Sequence, residues 1–194
     1  MPADMQRYVA FLGSINVGGN RILMADLREA LRREDFTDVE TVVASGNVLF
    51  SHEPRPSEGL ADKLAWVVQD RFDIDSLVIV KTRIEVDAAI TGNPFHGTGP
   101  DHGSDKMVHT IFLDGQPDED SFHDLLAEHK AKGGERLALG DRMLFLDYVH
   151  GAGVSSLTGP FLQRRLEVRG TARNMSSLKR ITAKMGELDG KGAA

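Results

Sequence analysis

The sequence contains no cysteine. Disulfides, thiolate metal sites and thiol nucleophiles are therefore excluded together. The absence fits a reducing compartment, and a cytoplasmic protein is expected. Aromatic residues make up only 6% of the chain, with one Trp and two Tyr. That is thin material for the stacking platforms on which RNA-reading sheets hold bases. No apolar run approaches the roughly 20 residues a membrane helix needs, so no membrane association is expected. The opening MPADMQRYVA lacks a basic leader followed by an apolar core, so no secretory signal is expected either. Neither G-x-G-x-x-G nor H-E-x-x-H occurs, and no cofactor or metal is expected.

What is present is ordinary globular material: 194 residues, 41% hydrophobic and 27% charged. This length makes one large domain or two small ones. The net charge of −6 is unevenly spread. From Pro160 onward there are eight Lys or Arg against three acids; the preceding 159 residues hold fifteen against twenty-six. An acidic body with a basic end argues against broad nucleic-acid affinity, which rests on clustered cations. It leaves room for a local anion site.

Gln6 to Ile15 reads as an alternating strand, and Asn16-Val17-Gly18-Gly19-Asn20 as a loop. Met24, Leu27 and Leu31 recur at helical spacing. Val39 to Ala44 and Val48 to Ser51 read as strands joined by the turn Ser45-Gly46-Asn47. Ser57 is placed to cap a helix with Leu60, Leu64, Val67 and Val68 on one face, and Leu77 to Val80 follows as a strand. The order is β-α-β-β-α-β, that of ferredoxin-like units. A short helix from Ile84 to Ile90 leads into Gly92 to Asp105, a Gly- and Pro-rich stretch too long for an ordinary connection. The order then repeats from Met107 to Thr171, and Leu178, Ile181 and Met185 mark a last helix. The expected fold is α+β: two ferredoxin-like halves plus a C-terminal helix. The expected boundaries are 1–91, a connecting loop 92–106, and 107–194.

The first loop carries the most chemistry. Glycines next to a helix start give free N–H groups and positive potential, the ingredients of an anion site. Gly13 and Gly18 match the outer spacing of a phosphate-binding P-loop, but Gly19-Asn20 stands where its Lys and Ser or Thr belong. A nucleotide hydrolase of that class is excluded. Ser45 lacks the G-x-S-x-G elbow of an activated nucleophile, and a tight turn explains its neighbours. Asn174 is placed to cap the last helix, with Ser176 and Ser177 as rivals for that position, and Arg173 to hold an anion with its planar fork. His96, Asp101, His102 and Asp105 share the long loop, but nothing rigid in the pattern holds them as metal ligands.

These segments resemble the mainly bacterial family known as domain of unknown function 1697. The resemblance runs from about Arg7 to Leu188. It is carried by Tyr8-Val9-Ala10-Phe11-Leu12 into Ile15-Asn16-Val17-Gly18-Gly19-Asn20, by Met24-Ala25-Asp26-Leu27-Arg28, and by Phe36-Thr37-Asp38-Val39. Ser45-Gly46-Asn47-Val48, Asn93-Pro94-Phe95 and Thr171-Ala172-Arg173-Asn174 complete it. The resemblance implies paired ferredoxin-like units and no established activity. Two departures stand out. The family's Leu-Arg-Gly is Leu12-Gly13-Ser14 here, and Met175 stands where an aromatic is usual.

Two functions of different class follow. In the first, a small anionic or phosphorylated ligand binds in a cleft between the two halves. Its wall would be Asn16, Gly18, Gly19 and Asn20, with Arg173 and Asn174 from the second half and Ser45 and Asn47 at the rim. In the second, the chain is a protein-interaction module whose Gly92–Asp105 loop meets a partner. Nucleic-acid binding through the basic C-terminal region is a weaker third reading, opposed by the acidic body.

Overall fold

The computed structural model describes residues 5–16, 18–43, 46–130 and 133–189. Among them are eight strands in two four-stranded antiparallel sheets and six α-helices, a mixed α+β architecture. The chain divides into two units, Met1–Asp87 with Arg180–Ala194, and Ala88–Lys179.

The first unit contains β1 (Gln6–Leu12), α1 (Met24–Arg32), β2 (Thr37–Thr41), β3 (Asn47–His52), α2 (Ser57–Phe72), β4 (Val78–Thr82) and the start of α3 (Arg83–Thr91). Its sheet runs β2-β3-β1-β4. Tyr8, Ala10 and Leu12 share one face with Val48, Phe50, Val78 and Val80. Leu27 and Leu31 of α1 and Leu60, Leu64, Val67 and Val68 of α2 join them in one core. The other face, with Val9, Phe11 and Leu49, is buried as well. With both faces covered, β1 and β3 are buried almost continuously, where the sequence pattern of β1 suggests alternation. β1 also ends sooner than the sequence pattern suggests, because Ser14 and Asn16 take left-handed φ of 59° and 56° and turn the chain. Ser57 does not cap α2. The helix already begins there, and Pro56 precedes it without a side-chain cap. Near the start of β2 the register shifts between Thr37 and Glu40, and Asp38 has a φ of 46°. Such a bulge removes a residue from the ladder and frees its carbonyl.

The second unit repeats the order with β5 (Val108–Leu113), α4 (Glu119–Lys130), β6 (Arg136–Gly140), β7 (Met143–Asp147), α5 (Gly159–Leu166) and β8 (Gly170–Asn174). Its sheet runs β6-β7-β5-β8. Ile111, Leu113, Leu144 and Leu146 pack with Phe122, Leu125, Leu162 and Leu166. Thr158 caps α5 by accepting from the Phe161 N–H, and Pro160 occupies its first turn, where a missing N–H costs nothing. β8 passes directly into α6 (Met175–Asp189), so Arg173 lies in a strand and not in a loop.

Residues 92–105 form an ordered loop. Asn93 Oδ1 accepts from the Phe95 N–H at 3.0 Å, and the Gly103 N–H donates to the Phe95 carbonyl at 3.0 Å. Arg136 lies over the Phe95 ring at 4.9 Å. Lys179 bonds the Asp105 carboxylate at 2.8 Å and closes the far end. Gly103 admits no side chain, since a Cβ there would fall 2.7 Å from Asp147 Oδ2. No helix among the described residues is long and apolar enough to cross a membrane.

Candidate functional site

A cleft of about 510 Å³ opens in the first unit. Met5, Gln6 and Arg7 at the start of β1 form one side, with Pro54 after β3. Thr82, Arg83, Ile84 and Asp87, where β4 becomes α3, form the other. The volume falls within the usual range for small-molecule sites.

Two arginines are among the residues that line it, each oriented by its surroundings. Arg7 is 7% exposed. It donates to the Asp38 carbonyl at 2.7 Å and to Ser51 Oγ at 3.2 Å. The bulge in β2 supplies the first of these acceptors. Arg83 starts α3, and its Nε lies 3.7 Å from Asp87 Oδ2 one turn on. On α6, Thr182 donates its hydroxyl to Asp87 Oδ1. Also on α6, Gly186 lets the Arg83 guanidinium come close to the helix backbone.

The entry to α3 is a capping box. The Glu85 N–H donates to Thr82 Oγ1 at 3.3 Å, and Glu85 Oε2 accepts from the Thr82 N–H at 2.7 Å. Burial works to raise the Glu85 pKa. The Thr82 N–H and the Lys81 ammonium outweigh it and hold the carboxyl below its usual range. This box fixes the backbone on which Arg83, Ile84 and Asp87 are presented.

The residues singled out from sequence have definite places. Asn16, Gly18, Gly19 and Asn20 line a second cavity of about 370 Å³ with Arg21. Both amide side chains serve the loop itself: Asn16 Oδ1 accepts from the Ile22 N–H at 2.9 Å, and Asn20 Nδ2 donates to the Ser14 carbonyl at 3.0 Å. Gly18 and Gly19 have φ of 60° and 99°, and no atom lies within 4 Å of where a Cβ would stand. Backbone conformation, and not a close neighbour, favours glycine there. Asn47 is buried and donates to the Val42 and Val43 carbonyls, both at 3.1 Å, closing the β2–β3 hairpin. Ser45 lies outside the described residues. Arg173 pairs across β5 with Thr110 and donates to Thr171 Oγ1 and the Ala172 carbonyl at 2.8 Å. Burial lowers its pKa to about 10, so it remains a cation at neutrality. Asn174 Oδ1 accepts from the Ser177 N–H at 2.9 Å and caps α6, as its position suggests. Asn47, Arg173 and Asn174 line neither cavity.

Sequence reading passed over Arg7, Arg83, Asp87 and Thr182. The Thr82-x-x-Glu85 spacing was a legible signal for where α3 begins. Nothing in the sequence marks Thr182 as the partner of a carboxylate 95 positions away.

The second unit holds a further polar cluster around Glu135. Glu135 takes the Ser155 hydroxyl on Oε1 at 2.6 Å, and its Oε2 lies 3.0 Å from His129 Nε2. The carboxylate sits between the hydroxyl and the imidazole. A nucleophile needs the opposite order, with the base between hydroxyl and carboxylate. The cluster ties α4, β6 and the segment before α5 together. Among the described residues there is no group of three or more His, Asp or Glu able to hold a metal.

No curated protein matches the chain significantly. Among solved structures, the chain is similar to the conserved bacterial protein SP0830 from Streptococcus pneumoniae. The TM-score is 0.64 at 21% identity, over 93% of this chain and 99% of that one. At that identity the likeness concerns the fold alone. The family model described as "Protein of unknown function (DUF1697)" matches residues 5–145. That range takes in the Asn16–Asn20 loop, the Arg7 and Arg83 cleft residues and the Asn93-Pro94-Phe95 segment; Thr171–Asn174 falls past it. By this match over more than half its length, the chain belongs to the DUF1697 family.

Proposed function

We propose that the protein binds a small organic anion in the cleft of its first unit. The observation that carries this reading is a cleft of small-molecule size lined by two arginines, Arg7 from β1 and Arg83 from α3. A guanidinium fork matches the geometry of carboxylate and phosphate oxygens. Pre-oriented forks lose little freedom on binding, which raises affinity without adding contacts. Exposed Ile84 and Met5 supply apolar surface for the body of a ligand.

The repeated β-α-β-β-α-β order and the matching sheet orders support reading each unit as ferredoxin-like. In the first unit that layout brings the start of β1 beside the end of β4, and so Arg7 beside Arg83.

Titration of the full chain with benzoate, followed by amide chemical shifts, tests the proposal. Residues 5–7 and 82–87 are expected to respond. Arg83→Met and Arg7→Met are each expected to weaken binding at least tenfold. Equal binding by both folded variants would overturn it.

A further inference from the structure

We propose that the cleft takes carboxylic acids with an apolar body, a hydrocarbon chain or ring rather than a hydroxylated, sugar-like one. This rests on the anion-binding reading of the same cleft and names what the anion carries.

The lining divides by chemistry. Its uncharged polar side chains already serve the fold. Gln6 Oε1 accepts from the Tyr8 hydroxyl at 2.9 Å. Thr82 Oγ1 donates to Glu85 Oε2 at 3.0 Å and accepts from the Glu85 N–H at 3.3 Å. A ligand hydroxyl set against them has to compete for those partners. A polar group that loses its water and gains no partner is costly.

Met5, Pro54 and Ile84 present hydrocarbon instead. On α3 the buried face is supplied by Val86 and Ala89, and Ile84 lies off it at 80% exposure. Single exposed hydrophobics are ordinary on a surface. Here two of the six large ones exposed among the described residues, Met5 and Ile84, lie on one concave cleft. A carboxylate head takes the room of a few waters, about 30 Å³ each, so most of a cleft of about 510 Å³ receives the body behind it. An apolar body covering Met5 and Ile84 removes apolar surface from water on both partners. The unbranched thioether of Met5 adapts to bodies of different shape.

The test titrates the full chain with acetate, hexanoate and gluconate at one pH and ionic strength, reading the amides of residues 82–87. Hexanoate and gluconate have six carbons each and the same charge, and differ in the hydroxyls. A fully buried methylene is worth about fourfold in affinity, and an open cleft realises part of that. Hexanoate is expected to bind at least tenfold more tightly than acetate, and gluconate no more tightly than acetate. Ile84→Ser is expected to cut the hexanoate advantage to about threefold while leaving acetate unchanged. Met5→Ser provides a second variant at a site 45% exposed. Equal affinity for hexanoate and acetate, a preference for gluconate, or an advantage unchanged in both variants overturns the apolar body and leaves the anion site standing. Silence of residues 82–87 toward all three acids overturns the anion site itself.

Discussion

The guanidinium of Arg83 rests against Gly186, so closely that a Cβ there would fall 3.1 Å from three of its atoms. The contact separates stability from binding. Alanine favours a helix over glycine by about 0.8–1 kcal/mol in its interior. Gly186 lies in the last turn of α6, where less of that is realised. Gly186→Ala is expected to stabilise the protein by about 0.5 kcal/mol in urea denaturation. It is also expected to push Arg83 out of position and weaken benzoate binding several-fold.

Glu85 gives the capping box a pH dependence. Its carboxyl is held below the usual range in the folded chain, so its contribution is present above the unfolded pKa, near 4.3. That contribution fades as pH falls through the lower folded value. Glu85→Ala is expected to cost about 1 kcal/mol at pH 7, in line with loss of a helix cap. The difference from wild type should close as the pH drops below about 4. A difference that is constant from pH 7 to pH 3 would show that the carboxylate charge plays no part.

In the second unit, Arg136 bonds Asp147 Oδ2 at 2.6 Å, and the Asp147 side chain is only 4% exposed. Removing the cation strands a buried carboxylate, which costs more than the pair contributes. Arg136→Met is expected to destabilise by about 2 kcal/mol, moderated because Arg136 itself is partly exposed. The double variant Arg136→Met, Asp147→Asn is expected to recover at least half of that loss. Additive losses in a double-mutant cycle would contradict the pairing.

Ser14 occupies a left-handed position, φ 59°. Left-handed φ costs a residue with a Cβ about 1–2 kcal/mol, and glycine's greater unfolded-state freedom offsets part of that. Ser14→Gly is expected to stabilise by about 0.5–1 kcal/mol and raise the melting temperature by a few degrees. The Asn20 bond to the Ser14 carbonyl uses only backbone at position 14, so it is unaffected.

Much of the fold was legible because its elements are local. Leu60, Leu64, Val67 and Val68 fall on the buried face of α2 as their spacing indicates, and Asn174 caps α6. Boundaries were less legible where backbone conformation decided them. Ser14 and Asn16 end β1 through φ values that no hydrophobic period encodes. The last strand reads as Val168 to Thr171, yet it runs from Gly170 to Asn174 and pairs with β5 along its whole length.

The candidate site was less legible still. The Gly- and Asn-rich loop drew attention because turn residues and ligand residues share a composition. Its asparagines satisfy its own backbone. The cleft residues are common types in unremarkable contexts, an Arg near the start of a strand and another at the start of a helix. Their importance arises from long-range placement, from the β2 bulge that feeds Arg7 and from Thr182 and Gly186 arriving on the last helix.

A crystal structure of the full chain soaked with 4-iodobenzoate tests the central claim most directly, because iodine marks the ligand without ambiguity. The account predicts anomalous density in the first unit's cleft, with the carboxylate within hydrogen-bond distance of Arg83. Density lodged instead in the Asn16–Arg21 cavity, or a cleft that stays empty at saturating ligand, would contradict it.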